Sequence, residues 1–202
     1  MTTDTYHHGD LKNALIQAGV DILARDGIGA LSLRSVARKA GVSHSAPYAH
    51  FPDKQALIAA ISTEGFHRLY TQLEAAAQPL ASNPQKQIVA CARAYLNFAV
   101  QERDIFNIMF SGVLEQEKAY PDFVEISKAT STLLADIVSE CQKAGIFPNG
   151  QTDLFAVAIW GQLHGIVSLA LEKQISHTVL DQYQLDDILL FALNQFALVE
   201  LT

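Results

Sequence analysis

Ser43, His44 and Ser45 follow directly on Gly41-Val42, and Tyr48, His50 and Lys54 come soon after. Hydroxyls, imidazoles, a phenol and an ammonium in so short a stretch form a set of hydrogen-bond donors suited to anionic oxygens and polar ring edges. That is the chemistry of recognition, in which no covalent bond changes. Side chains able to act as nucleophiles or bases occur elsewhere, at His67, Cys91, Cys141 and His164. None of them lies in a nucleophile elbow, a Walker loop or an HExxH site, and the acids show no paired-carboxylate spacing. An enzyme is therefore not expected. The two cysteines match no metal motif and read as reduced core thiols. No metal site and no cofactor are expected, and His7-His8 reads as a solvated tail.

The elements that must carry the donors are helical. No alternating Val/Ile/Thr run and no Asn-Gly hairpin turn occurs, whereas helical periodicity runs nearly throughout. A first helix is expected from about Gly9 to Arg25, with Leu11, Leu15, Ala18, Ile22 and Leu23 as its apolar stripe and Gly27 as its stop. Ser32 is the expected N-cap of a second helix, Leu33 to Ala40. Ala37 is small enough for a close crossing, Gly41 can take the positive φ of a tight turn, and Val36 and Val42 would fill the junction. The pattern from Leu31 to Ser43 reads as the first half of a helix-turn-helix. Ser43 would cap a short third helix that Pro52 ends, and Asp53 a long fourth one reaching about Gln78. Further helices are expected from about Pro84 to Arg103, Asp104 to Phe110, Tyr120 to Gly145, Thr152 to Lys173 and Asp181 to Leu201. The fold class is all-α with about nine helices.

The run Gly41-Val-Ser-His-Ser-Ala-Pro-Tyr-Ala-His-Phe-Pro-Asp-Lys54, continued by Gln-Ala-Leu-Ile, resembles the TetR family of repressors. The turn and the Tyr-x-His-Phe and Lys-x-x-Leu elements stand at matching spacing, over about the first quarter of the chain. The resemblance implies a DNA-binding head, and physical reasons go with each role. Ser32 and Arg34 would hold a phosphate at the start of the second helix. Ser43, His44, Ser45 and Ala46 would lie at the base-reading end of the recognition helix, with Ala46 able to meet a thymine methyl. Tyr48 and Lys54 would pair with phosphates, and His50, with Phe51, would orient the helix end. Pro47 departs from the Leu or Ile of many relatives. It removes a donor and crowds the cap carbonyl, so the recognition helix should start late or bend.

The same resemblance implies an effector pocket in the body. Its candidate lining is Phe66, Tyr70, Tyr95, Phe98, Phe106, Met109, Phe110 and Phe123, although aromatic residues at helical spacing are also ordinary core. Trp160-Gly-Gln-Leu-His-Gly165 resembles a subgroup of TetR-type C-terminal domains with a Trp-x-x-x-His-Gly element. Trp160 and His164 share a helix face and would contact a ligand or each other, with a hydrogen-bonded structural histidine as the plain alternative for His164. Ala158, Gly161, Gly165 and Ser168 make a stripe of small residues that admits a close helix. Leu185, Leu189, Ala192, Phe196 and Val199 repeat like a seam, and Phe191 and Leu198 make the last helix apolar on another side. A terminal helix with two apolar faces needs two partners, so a homodimer through a four-helix bundle is expected.

Charge is distributed in keeping with this division. The chain has 202 residues and a net charge of -7, with pI near 5.4. Up to Lys54, six bases face five acids, whereas the remainder carries eight bases and sixteen acids. An acidic body on a slightly basic head suggests that only the head meets DNA. The expected domains are 1–54, for DNA binding, and 55–202, for ligand binding and dimerisation. Gln162 and His164 interrupt one apolar run and Asn194 and Gln195 the other, against a membrane span. Met1 to Asp10 is polar and unlike a signal peptide. The expected partners are a double-stranded DNA operator, a small-molecule effector and a second copy of the chain, in the cytoplasm. An enzyme on a helical bundle, or a helical small-molecule carrier that has lost DNA binding, would be the alternatives. Pro47 and the low pI favour the carrier.

Overall fold

The structure is a computed structural model that describes residues 8–202, with side chains from Leu11 onward. The His7-His8 tail and the polar Met1 to Asp10 stretch lie outside the described side chains. Every regular element among the described residues is helical. The α-helices are α1 (His8–Asp26), α2 (Leu33–Lys39), α3 (Lys54–Ala77), α4 (Pro84–Gln101), α5 (Arg103–Phe110), α6 (Pro121–Lys143), α7 (Thr152–Leu171), α8 (His177–Leu180) and α9 (Leu185–Asn194), with 3₁₀ turns between some of them.

Two compact units result. One comprises the chain up to His67 together with Glu102–Ser127, and the other comprises Arg68–Gln101 with Lys128–Thr202. In the first unit, α1 buries Leu15, Ala18, Ile22 and Leu23 and ends where Gly27 takes φ 75° and donates to the Leu23 carbonyl at 3.0 Å. α2 opens on a reciprocal cap: the Ser35 amide donates to Ser32 Oγ at 3.0 Å, and the Ser32 amide to Ser35 Oγ at 2.9 Å. Leu33, Val36 and Ala37 are buried, Gly41 turns at φ 71°, and the Val42 amide closes the corner on the Ala37 carbonyl at 3.0 Å. Asp53 caps α3, accepting from the Ala56 amide at 2.8 Å.

The third helix expected from sequence is not an α-helix. Ala46–Ala49 form a 3₁₀ turn, with Pro47 buried at its start. Pro47 has no amide hydrogen to give the Ser43 carbonyl, which takes the Ala46 amide instead at 3.0 Å. The Tyr48 amide then bonds to Ser45 O at 3.1 Å, continuing the tighter pattern. Ser43 is not a side-chain cap; its hydroxyl lies 3.1 Å from that of Ser45.

In the second unit, α4 packs against α7 and α9, and α7 against α9. Asn83 caps α4 and the buried Gln87 amide ties it to the Ala77 carbonyl at 3.1 Å. The terminal segment differs from the expected single helix over 181–201. α9 stops at Asn194, whose side chain folds the tail back on itself: Nδ2 donates to Leu190 O and Leu201 O, while Oδ1 accepts from the Leu201 amide at 2.8 Å. The Leu198 amide reaches the Ile146 carbonyl at 2.8 Å, and Leu201 is buried. Phe196 and Val199 therefore lie beyond the helix, and Leu189 and Ala192 are buried inside their own chain.

Two glycines set how closely the head helices approach. A Cβ on Gly19 of α1 would stand 2.7 Å from Ile61 Cδ1 of α3, and one on Gly65 of α3 would stand 2.5 and 2.6 Å from Met109 Sδ and Ile105 Cγ2 of α5. Neither gap admits a larger side chain without displacing core atoms. Gly65→Val is expected to cost about 1–3 kcal/mol through overpacking, seen as a lower urea midpoint with an unchanged slope.

Candidate functional site

The donors picked out from the sequence are mostly at the surface. Ser32, Arg34, Ser43, His44, Ser45 and Lys54 are exposed and Tyr48 is 54% exposed, whereas Ala46 and His50 are half-buried. The exposure of Tyr48 follows from the 3₁₀ turn, in which neighbouring Pro47 takes the inward position. His50 lies beside Phe51, their ring centroids 6.2 Å apart, as a residue that orients the turn would. Lys54 Nζ donates to the Ile28 carbonyl at 3.2 Å, which holds the side chain against the loop after α1 and leaves two of its three donors for another acceptor.

Local ion pairs occupy two of the exposed cations of the head. Arg25 is taken by Asp26 at 2.7 Å and Lys39 by Asp21 at 3.1 Å. A hydrogen bond from Gln17, with Lys39 beside it, holds the Asp21 carboxyl below its usual range. Arg34 and Arg38 enter no ion pair among the described residues. An exposed guanidinium in the first turn of α2, and exposed hydroxyls and an imidazole after the glycine turn, suit the phosphate and base edges of a nucleic acid.

Nine of the ten candidates of the body fall into two groups. Phe66, Phe106, Phe110 and Phe123 form a cluster in the first unit, with Phe66 edge-on to Phe110 at 5.6 Å and to Phe123 at 5.5 Å, and Phe106 4.9 Å from Phe110. Met109 is buried in the same unit. Tyr95, Trp160 and His164 belong to the second unit, with the fully buried Phe98. Tyr70 stands apart from both groups, its hydroxyl donating to Glu74 at 3.0 Å.

Tyr95 is the residue that joins the Trp-x-x-x-His pair, a connection the sequence reading missed. Trp160 Nε1 donates to Tyr95 Oη at 3.3 Å, and Tyr95 Oη lies 2.7 Å from His164 Nδ1. The indole can only donate, so the phenol oxygen accepts from it and directs its own proton to Nδ1 of a neutral imidazole. Burial pushes the Tyr95 hydroxyl well above its usual pKa and holds His164 below its ordinary 6.5, so both groups stay uncharged. No sequence spacing could have found this link, because Tyr95 and Trp160 are 65 positions apart on different helices. The cysteines behave as read: burial pushes Cys91 up to about 11 and Cys141 up to about 12, which keeps both as neutral thiols with little nucleophilic character.

Comparison with known proteins yields matches along most of the chain. The model of bacterial regulatory proteins of the tetR family matches residues 15–61, and that of the tetracyclin repressor-like C-terminal domain matches 88–193. Among solved structures, a protein of unknown function from Rhodococcus sp. RHA1 is 33% identical and superposes with a TM-score of 0.79 over 96% of this chain and 97% of that one. A bacterial regulatory protein in the tetR family from Rhodococcus RHA1 is 21% identical, with a TM-score of 0.66 over 96% and 94%. The TetR family transcriptional regulator PfmR from Thermus thermophilus is 16% identical, with a TM-score of 0.66 over 88% and 94%. These last two share the fold. No curated protein matches the chain.

The lowered His164 value has a sign that can be measured. Below about pH 6.5 the unfolded chain binds a proton at His164 that the folded chain resists. The stability this neutral histidine allows is present above that pH and is lost as pH falls toward the folded value. His164→Gln, which can still accept from Tyr95, is expected to flatten the loss. Urea midpoints between pH 7.5 and 5 should fall less in the variant than in the wild type.

Proposed function

The chain belongs to the tetR family of bacterial regulatory proteins, and from that premise we propose that it is a ligand-responsive transcriptional repressor, without enzymatic activity, acting in the cytoplasm. The observation that carries this reading is the head itself: a capped helix, a tight glycine turn and an exposed surface of donors at Arg34, Ser43, His44, Ser45 and Tyr48. His44 and Ser45 read base edges with Ala46, while Ser32, Arg34, Tyr48 and Lys54 fix the backbone. The Lys54 ammonium bonds to Ile28 O and keeps two donors for a phosphate, which supports its backbone role. The functional division falls at 54/55, with DNA binding before it and effector binding and dimerisation after it.

The partner chain is a second copy. α7 exposes Leu154, at 65%, together with Val157 and Leu169, and α9 exposes Phe191, at 69%. Along the same helix Ala158 and Gly161 are exposed, and a Cβ on Gly161 or Gly165 would meet nothing within 4 Å. The chain's own packing therefore gives no reason for glycine there, while a closely packed partner helix does. α7 is long and apolar enough to cross a membrane by length and composition. We read its uncovered side as a protein interface, because Gln162 lies along it and His164 is engaged by Tyr95. The dimer then presents two reading turns to a near-palindromic operator, about 34–36 Å apart.

The effector is a small molecule bound in the C-terminal part, which we place in the subgroup marked by Trp160, His164 and Gly165. The neutral Trp160–Tyr95–His164 chain supplies its candidate contacts. Coupling of about 1–3 kcal/mol between effector and operator suffices for a five- to hundredfold response.

Selection of genomic fragments by the purified protein at about 0.15 M salt is expected to return a few sites sharing an inverted repeat. Random recovery would count against sequence reading. Lys54→Ala should weaken binding to all sequences alike and lower the salt slope by about one, and Tyr48→Phe should weaken it with the slope unchanged. Preserved affinity in both would remove the phosphate roles. Gly161→Leu is expected to yield monomers in sedimentation at micromolar concentration with helicity intact; a persistent dimer would move the interface elsewhere.

A further inference from the structure

The loop that leaves α5 comes back to the start of α3. Gln55, half-buried in the first turn of α3, donates from Nε2 to the Val113 carbonyl at 3.1 Å and accepts at Oε1 from the Glu115 amide at 3.0 Å. The two partners fix which way the side-chain amide points, since a carbonyl only accepts and a backbone N–H only donates. Both ends of one side chain are thus spent on a segment 58 and 60 positions away. Gln116, just past it, holds a left-handed φ of 47°, which a residue with a Cβ keeps where its surroundings over-determine it. At the far end of the loop, burial and the nearby Asp53 and Glu115 carboxylates push the Tyr120 hydroxyl above its usual range, so that limb too lies by the start of α3.

The same part of the chain is fastened to α3 further along. Gly65 gives its space to Ile105 and Met109 of α5, and Phe66 packs on Phe110 and Phe123. Gly65 stands ten positions after Gln55, about 15 Å along the helix axis. All these residues belong to the first unit. Beside Gln55, Lys54 bonds to Ile28 O in the loop after α1. Successive residues of an α-helix project about 100° apart, so the two bonds tie the first turn of α3 in nearly perpendicular directions. The reading turn Ala46–Ala49 runs straight into that turn through the buried Phe51, whose amide bonds to Pro47 O at 2.8 Å.

We infer that the α5–α6 loop is a brace for the reading turn, acting through the Gln55 amide. With both bonds made, the start of α3 and the turn before it are held in the pose that fits base edges. With both released, the head still meets phosphates but reads bases poorly. Gln55 is a positioning residue and does not touch DNA. Operator binding as a readout rests on the regulatory reading above, whereas amide exchange does not.

Gln55→Leu and Gln55→Ala each remove the two bonds, one keeping the bulk of the side chain and one not, with residues that suit a helix. In the DNA-free, full-length protein, both variants should exchange the Glu115 amide faster. The amides of Tyr48, His50 and Phe51 should follow by at least about threefold, with the circular dichroism spectrum kept. Operator affinity should fall about tenfold in both, while affinity for non-specific duplex and its salt slope stay as in the wild type. The brace is overturned if the reading-turn amides keep their wild-type rates, or if only Gln55→Ala has an effect, which would assign the role to bulk. It is equally overturned if operator and non-specific affinities fall together, as they would for a loss of folded protein. Failure of the wild type to select an operator would remove the regulatory reading, and exchange would still decide the brace.

Discussion

Close approach around α3 is the constraint on which the head depends. Gly19 yields its side-chain space to Ile61, and Gly65 yields its own to Met109 and Ile105. Side-chain ends fill both places, so a larger residue at either would have to displace core atoms. α3 begins beside the reading turn, where Asp53 caps it and Lys54 reaches back to Ile28. A helix so held at its start has little freedom to adjust locally.

The reading turn shows how one missing hydrogen redirects a motif. With Pro47 buried and unable to donate, the segment after the glycine corner tightens to 3₁₀ geometry and Tyr48 is left at the surface. The elements before it obey local rules. Ser32, Gly27, Gly41 and Asp53 do what their types suggest, because a cap or a positive-φ turn is decided by residues a few positions away. These features were readable from the sequence for the same reason.

The parts that could not be read depend on distant residues. The last helix ends at Asn194 because Leu201 folds back onto its side chain and Leu198 onto Ile146. Periodicity through Phe196 and Val199 carries no trace of either bond. Likewise Trp160 and His164 were recognisable as a pair on one face, but the phenol between them comes from α4. The aromatic residues were a single pool in the sequence, and only packing sorted them into a phenylalanine cluster and a polar chain.

The polar chain has an optical consequence. Trp160 is the only tryptophan in the protein, and it is 40% exposed while its ring nitrogen is bound to Tyr95. Indole emission shifts in wavelength with the polarity around the ring and in intensity with nearby quenchers, a protonated imidazole among them. The ring centroid of His164 is 5.6 Å away. Excitation at the red edge of the absorption band would therefore report on one place in the second unit, free of other indoles and with no dye attached. The protein carries its own probe at the junction of α4 and α7.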